Sequence, residues 1–177
     1  MLNPIDYLPF PYVIFASVAI ILFFAVFMEG FAWFLHRYVM HHIGWYLHED
    51  HHRYTKGRFQ KNDIFALFFS LISFFFILFG LILYDILFWV GIGVAIYGMG
   101  YFIFHDILFH KRLKNNYRPK SEYMKRIFIA HSFHHQTTNR KGSDGYAYGF
   151  LYSSKKYIRM ANELKNKRNK LQKNPKI

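Results

Sequence analysis

The forty-one residues from 64 to 104 carry one charged side chain, Asp85. As a single helix such a run would be roughly 60 Å long, about twice the hydrocarbon thickness of a bilayer. It therefore reads as two spans joined by a tight turn near Tyr84 and Asp85. An earlier apolar stretch, FPYVIFASVAIILFFAVFMEGFAWFL at 10–35, is interrupted only by Glu29 and suits one crossing. Its leader, MLNPIDYLP, has no basic n-region and no small-x-small site follows, so it does not read as a cleaved signal peptide.

Charge placement supports an integral membrane protein. The chain is 53% hydrophobic yet carries a formal charge of +13. None of its 23 Lys and Arg residues precedes Arg37 and none lies between Lys61 and Lys111; five fall in 37–61 and eighteen in 111–176. Basic residues favour the cytoplasmic side. Three crossings then leave the N-terminus outside and both basic blocks inside, in a bacterial inner or plasma membrane. The expected fold is all-α: a polytopic membrane protein with about three transmembrane helices, room for a fourth membrane-embedded helix, and a cytoplasmic histidine-rich helical cap. The 177 residues suggest one domain spanning 1–177, with a basic C-terminal tail from about 155. This topology accounts for the positive charge, so nucleic acid is not an expected partner. Cysteine is absent, which excludes thiolate-ligated haem and cysteine-bound clusters. Electrons for any redox chemistry are expected to come from a separate carrier.

The eleven histidines lie beside or beyond the span ends, and ten follow a repeated grammar. His36 and His41 make HxxxxH, and His48, His51 and His52 make HxxHH. After the apolar hairpin, His105 and His110 repeat the first box, and His131, His134 and His135 the second. On a helix, positions i, i+3 and i+4 share a face, so each HxxHH is expected to aim three imidazoles at one centre. The i, i+5 pair lies about 140° apart on an α-helix. It suits either a bent helix end or two different metals. Two crossings between Lys61 and Lys111 return both halves to one membrane face. Ten imidazoles exceed one ion's needs; shared between two ions they leave roughly five each, with a position open for oxygen. Nitrogen ligation of this kind suits Fe, Zn, Cu or Ni, and two irons would suit O₂ activation. A bis-histidine cytochrome would need its ligands facing each other inside the spans. A transporter would place His and Asp at mid-membrane, where this chain is nearly bare.

The runs HRYVMHHIGWYLHEDHHR, KND, YFIFHDILFH, YMKRIFIAHSFHH and GFLY at 149–152 resemble the bacterial β-carotene 3-hydroxylase family, within the membrane fatty acid hydroxylase and sterol desaturase superfamily. The resemblance runs from about Met28 to Tyr152. It implies a non-haem diiron monooxygenase that hydroxylates C3 of β-ionone rings, taking β-carotene to β-cryptoxanthin and then zeaxanthin. It implies two iron ions as cofactor, O₂ as co-substrate, a carotenoid drawn from the bilayer, and reduced ferredoxin or a similar electron donor. The ten motif histidines would be the ligands, box by box. Family members commonly carry glycine where this chain has His42, which is therefore read as a bystander. A fatty acyl or sterol hydroxylase or desaturase is the nearest rival, with a carotenoid ketolase as a chemical variant; a metal transporter stands further off.

Three carboxylates are candidates for supporting the ligands. Glu29 lies seven residues before His36, on the same helical face, and is expected to hydrogen-bond a ligand imidazole. Asp106 adjoins His105, and Asp63 opens the second span. Ser121 is a reasonable N-cap for a helix over 121–135. The aromatic stretch GYAYGFLY at 145–152 could line an apolar entrance. The tail is expected to be largely solvated, with Tyr157, Met160, Leu164 and Leu171 near helical spacing for contact with anionic membrane lipids.

Overall fold

The protein is described here by a computed structural model covering residues 8–53, 59–83, 86–136 and 147–173. Helix α1 (Tyr12–Leu35) is followed by the short α2 (Trp45–His48), and α3 (Asp63–Leu83) and α4 (Leu87–Tyr101) form the apolar hairpin. Helix α5 (Glu122–His134) and helix α6 (Lys156–Lys173) complete the chain. No strand occurs among the described residues. That is the expected outcome in a bilayer, where a spanning backbone must satisfy its own hydrogen bonds. Three stretches are long and apolar enough to cross: Tyr12–Ile43, Asp63–Leu83 and Leu87–Phe109. The turn expected at Tyr84 and Asp85 lies outside the described residues, between the end of α3 and the start of α4.

Helix α4 packs against both α3 and α1. Two glycines permit the close approach. A Cβ on Gly93 would come within 2.7 Å of the Ile21 carbonyl oxygen, and one on Gly91 within 2.8 Å of Ile77. The Ser73 hydroxyl donates to the Gly91 carbonyl at 2.9 Å, tying α3 to α4. Lipid tails are as apolar as any side chain, so contacts of this kind, rather than expulsion of water, hold such helices together. The outward faces present large apolar side chains, among them Phe15, Phe23, Phe68 and Phe74.

At their C-terminal ends α1 and α4 change winding. Residues His36–Ile43 and Phe102–Phe109 are π-helical. Gly44 N–H donates to the Val39 carbonyl at 2.8 Å and His110 N–H to the His105 carbonyl at 3.0 Å, both five residues back. Helix α5 begins where the sequence suggests, the Ser121 hydroxyl accepting from Met124 N–H at 3.2 Å. Helix α6 differs from the expected solvated tail at its start. Tyr157 is fully buried and packs with Ala130, Ala147 and Phe133, docking the first turn onto α5.

Candidate metal centre

The π-helical segments resolve the awkward five-residue spacing. Hydrogen bonds from i to i+5 bring side chains five apart to the same face. His36 and His41 therefore point together, as do His105 and His110. Of the two options left open by the spacing, a bent helix end and separate metals, the first is realised.

All ten motif histidines converge, in two groups of five. One holds His36, His41, His48, His52 and His134; the other holds His51, His105, His110, His131 and His135. Within each group one ring nitrogen from every residue lies within 4.8 Å of the others. The two HxxHH boxes thus do not each serve one centre. His48 and His52 join the first group while His51 crosses to the second; His131 and His135 join the second while His134 crosses to the first. In α5, at 3.6 residues per turn, His131 and His135 differ by about 40° while His134 lies about 100° from His135, so His134 points away from its box partners. Glu49–His51 is instead a 3₁₀ turn, and the docking of the two halves decides which group each crossing histidine meets.

The hydrogen bonds fix tautomers. His36 donates from Nδ1 to the Tyr148 carbonyl at 2.9 Å, and His48 from Nδ1 to Asn62 Oδ1 at 2.6 Å. Carbonyl and amide oxygens only accept, so both Nε2 atoms carry bare lone pairs. Yet these two Nε2 atoms are 2.9 Å apart. In the second group His51 donates to Gln60 Oε1 at 3.1 Å and His105 to Asp106 Oδ1 at 3.1 Å. Their Nε2 atoms face each other at 3.2 Å. Lone pairs opposed at this distance repel unless a cation lies between them. With metal–imidazole bonds of about 2.0–2.1 Å, two ligands at a right angle are about 3 Å apart. The buried Nε2 of His135, which has no hydrogen-bond partner among the described residues, adds a further donor. The donor set fits a pair of metal ions.

Burial keeps the imidazoles neutral, the form that binds metal. It pushes His48 down to about 3, against the opposing Asn62 hydrogen bond. It pushes His135 down to about 2, helped by neighbouring histidines. His110 falls to about 4 through burial and the charge of Arg112. His51, His131 and His134 are lowered in the same way, burial being the main cause.

The three carboxylates take different places. Asp106 accepts from His105, as its position suggests. Asp63 bonds no imidazole; it pairs with Arg112 at 2.6 Å and accepts from Gln60 N–H at 3.0 Å. Arg112 also donates to Gln60 Oε1 at 2.7 Å and lies 3.6 Å from Asp106. It therefore braces the partners of both His51 and His105. Glu29 does not reach an imidazole either, because His36 Nδ1 is already engaged by the Tyr148 carbonyl; the acid binds the loop that carries Tyr148. His42 is exposed, its Nδ1 donating to the Arg37 carbonyl at 2.9 Å, and belongs to neither group. The sequence does not single out Asn62, Gln60 or Arg112. Tyr148 lies in the stretch expected to line an apolar entrance and does line the cavity between α1, α3 and α4, but its bond to His36 is not an expectation of the sequence. For Asn62 a signal exists in the KND run, where it stands beside Asp63.

A cavity of about 560 Å³ lies between α1, α3 and α4. Its walls are mainly apolar, including Met28, Phe69, Phe74 and Val94, and it ends at His36, Asn62, Asp106 and Tyr148. From Asp63 to Ile77 it follows α3 for about 21 Å at 1.5 Å per residue. It is thus a slot from the spanning region to the edge of the histidine groups.

Comparison with known proteins places these features in a family context. A family model described as "Fatty acid hydroxylase" matches residues 21–154. A protein named "Beta-carotene hydroxylase" from Pseudescherichia vulneris is 40% identical over 136 residues, covering 77% of this chain and 76% of its own. One of the same name from Pantoea ananas is 39% identical over 136 residues, covering 76% and 77%. A "Beta-carotene 3-hydroxylase, chloroplastic" from Haematococcus lacustris is 37% identical over 114 residues, covering 61% of this chain and 35% of its own. No solved structure matches.

Proposed function

The chain belongs to the fatty acid hydroxylase family, and on that premise we propose that it hydroxylates C3 of the β-ionone rings of carotenoids, converting β-carotene through β-cryptoxanthin to zeaxanthin. The observation that carries this reading is the junction of a long apolar slot with two buried groups of five histidines. The names of the relatives, which span three quarters of the chain, favour a carotenoid as the long apolar substrate.

On this reading the ten histidines hold two iron ions, which when bound supply the O₂ activation that an unreactive ring C–H requires. The chain's own residues do the rest. The slot takes one ring-bearing end of the substrate from the bilayer, and its apolar walls keep water from the reacting end. Asn62, Gln60, Asp106 and the Tyr148 carbonyl hold four Nδ1 protons, so that the opposite nitrogens stay turned inward. Each hydroxylation consumes O₂, two electrons and two protons and releases water. The electrons come from an external carrier such as reduced ferredoxin, since the chain has no cysteine for a cluster of its own. The whole chain acts as one hydroxylase domain, with its N-terminus outside and the histidine site, basic blocks and tail in the cytoplasm.

Expression in bacteria that accumulate β-carotene, with a ferredoxin supply, tests the proposal. Appearance of β-cryptoxanthin and zeaxanthin is expected. Unchanged β-carotene alongside correctly inserted protein would refute it, and hydroxylated acyl chains would move the activity to another lipid.

A further inference from the structure

Glu29 sits in α1, within the first spanning stretch, where an ionised group is costly. Its carboxylate is fully engaged. Oε1 accepts from Leu151 N–H at 2.9 Å and Tyr152 N–H at 3.1 Å. Oε2 accepts from the Tyr97 hydroxyl at 2.9 Å and Phe150 N–H at 3.2 Å. Three successive backbone amides converging on one carboxylate form an anion-binding nest. The nest is the GFLY run, whose role the sequence alone does not disclose. Its glycine is required by contact: a Cβ on Gly149 would collide with the Glu29 carboxylate.

The loop so held is fixed on other sides as well. The Phe150 ring packs on Tyr97, with centroids 5.0 Å apart, and on Phe104 at 5.5 Å. The Leu151 carbonyl accepts from the Tyr123 hydroxyl of α5 at 2.5 Å. Immediately upstream, Tyr148 touches the first histidine group twice over. Its carbonyl takes the Nδ1 proton of His36, and its ring packs against His36, His41 and His134, with centroids 4.9–5.3 Å apart.

We propose that Glu29 is a positioning residue for the first histidine group, acting through the loop it anchors. The carboxylate sets the loop, the loop sets Tyr148, and Tyr148 holds His36 with Nε2 free for metal. The hydrogen-bonded path leads to the first group. The loop reaches the second by ring packing, Phe150 on Tyr101 and Tyr101 on His105, and the hydrogen bonds of that group come from Asp106, Gln60 and Arg112. The inference rests on reading the groups as metal sites, and it goes further in making the effect of Glu29 selective for one of them.

The test uses the full-length protein in detergent, loaded with ferrous iron, with iron content followed during chelator challenge and by Mössbauer spectroscopy. Glu29→Gln places an amide nitrogen against backbone donors, and Gly149→Ala pushes a methyl group between loop and carboxylate while leaving the Glu29 side chain chemically intact. Tyr97→Phe removes one donor and serves as the mild member of the series. Each is expected to release one iron 10- to 100-fold more readily than the wild type, the usual scale for lost support of a ligand, and least in Tyr97→Phe. The Mössbauer signal of one iron should change while the other persists. Release of both irons together, or of neither more readily, would overturn the proposal. A wild-type chain that takes up no metal would refute the metal-site reading itself.

Discussion

Replacing Asn62 by leucine probes how the first histidine group is held. Asn62 is buried, and its side-chain oxygen accepts the one hydrogen bond that His48 Nδ1 makes among the described residues, at 2.6 Å. Leucine is similar in size but cannot accept. The buried N–H is then left without a partner, at a cost of about 1–3 kcal/mol. His48 also becomes free to move its proton to Nε2, the nitrogen that faces His36 and His52 at 2.9 and 3.1 Å. An imidazole that carries its proton there cannot donate a lone pair to metal. Support lost at a metal-ligating histidine typically weakens metal binding 10- to 100-fold, or about 1.4–2.7 kcal/mol, which agrees with the hydrogen-bond estimate. The assay is iron retention against increasing chelator in the full-length protein. Asn62→Leu should release one of two irons at 10- to 100-fold lower chelator concentration, leaving the other unchanged. If Asn62 acts through His48, the substitution should add little in a His48→Ala background, because the two effects are not independent. Unchanged retention of both irons, or full additivity of the two substitutions, would refute this reasoning.

Three further outcomes follow from the geometry. A Cβ at Gly98 meets nothing within 4 Å, and the residue lines the slot. Gly98→Ala should therefore be near wild type, while Gly98→Leu should lower kcat/KM for carotene at least about tenfold with iron content unchanged; equal activity of the two variants would argue against the slot as the substrate path. Acidification should destabilise the metal-free fold. His48, His110 and His135 stay neutral in the folded chain down to about 3, 4 and 2, whereas the unfolded chain protonates them below about 6.5. The unfolded state then binds more protons, and stability falls as pH drops from about 6.5 toward 4, by up to about 1.4 kcal/mol per pH unit for each histidine; a melting temperature that stays flat between pH 7 and 5 would contradict this. Finally, His42→Ala should keep both irons and full activity by metal analysis and turnover, and loss of one metal equivalent would make His42 a ligand.

Much of the architecture can be read directly from the chain. Apolar run length and the placement of Lys and Arg specify three spans, because the bilayer imposes a length and a backbone rule that no tertiary contact overrides. That these ten histidines come together is legible for a related reason: imidazoles at repeated spacing beside span ends have few other uses. Even the π-helical winding was latent in HxxxxH, since a five-residue repeat of inward side chains fits i to i+5 bonding better than an α-helix.

Allocation of the histidines was not legible. Spacing states which side chains leave a helix in nearly the same direction, but not what stands opposite them. Only the docking of the two halves, joined across an apolar hairpin that leaves and re-enters the same membrane face, sends His51 to the second group and His134 to the first. The same holds for the supports. Asn62 meets His48 from fourteen residues away, and Tyr148 meets His36 from 112 away. Glu29 is the clearest case. Its place on α1 suggested a bond to His36 seven residues on, but that imidazole already donates to the Tyr148 carbonyl. The carboxylate instead gathers the amides of a loop more than 120 residues distant, because a charge at the end of a span needs several hydrogen-bond donors and only the folded chain brings them there.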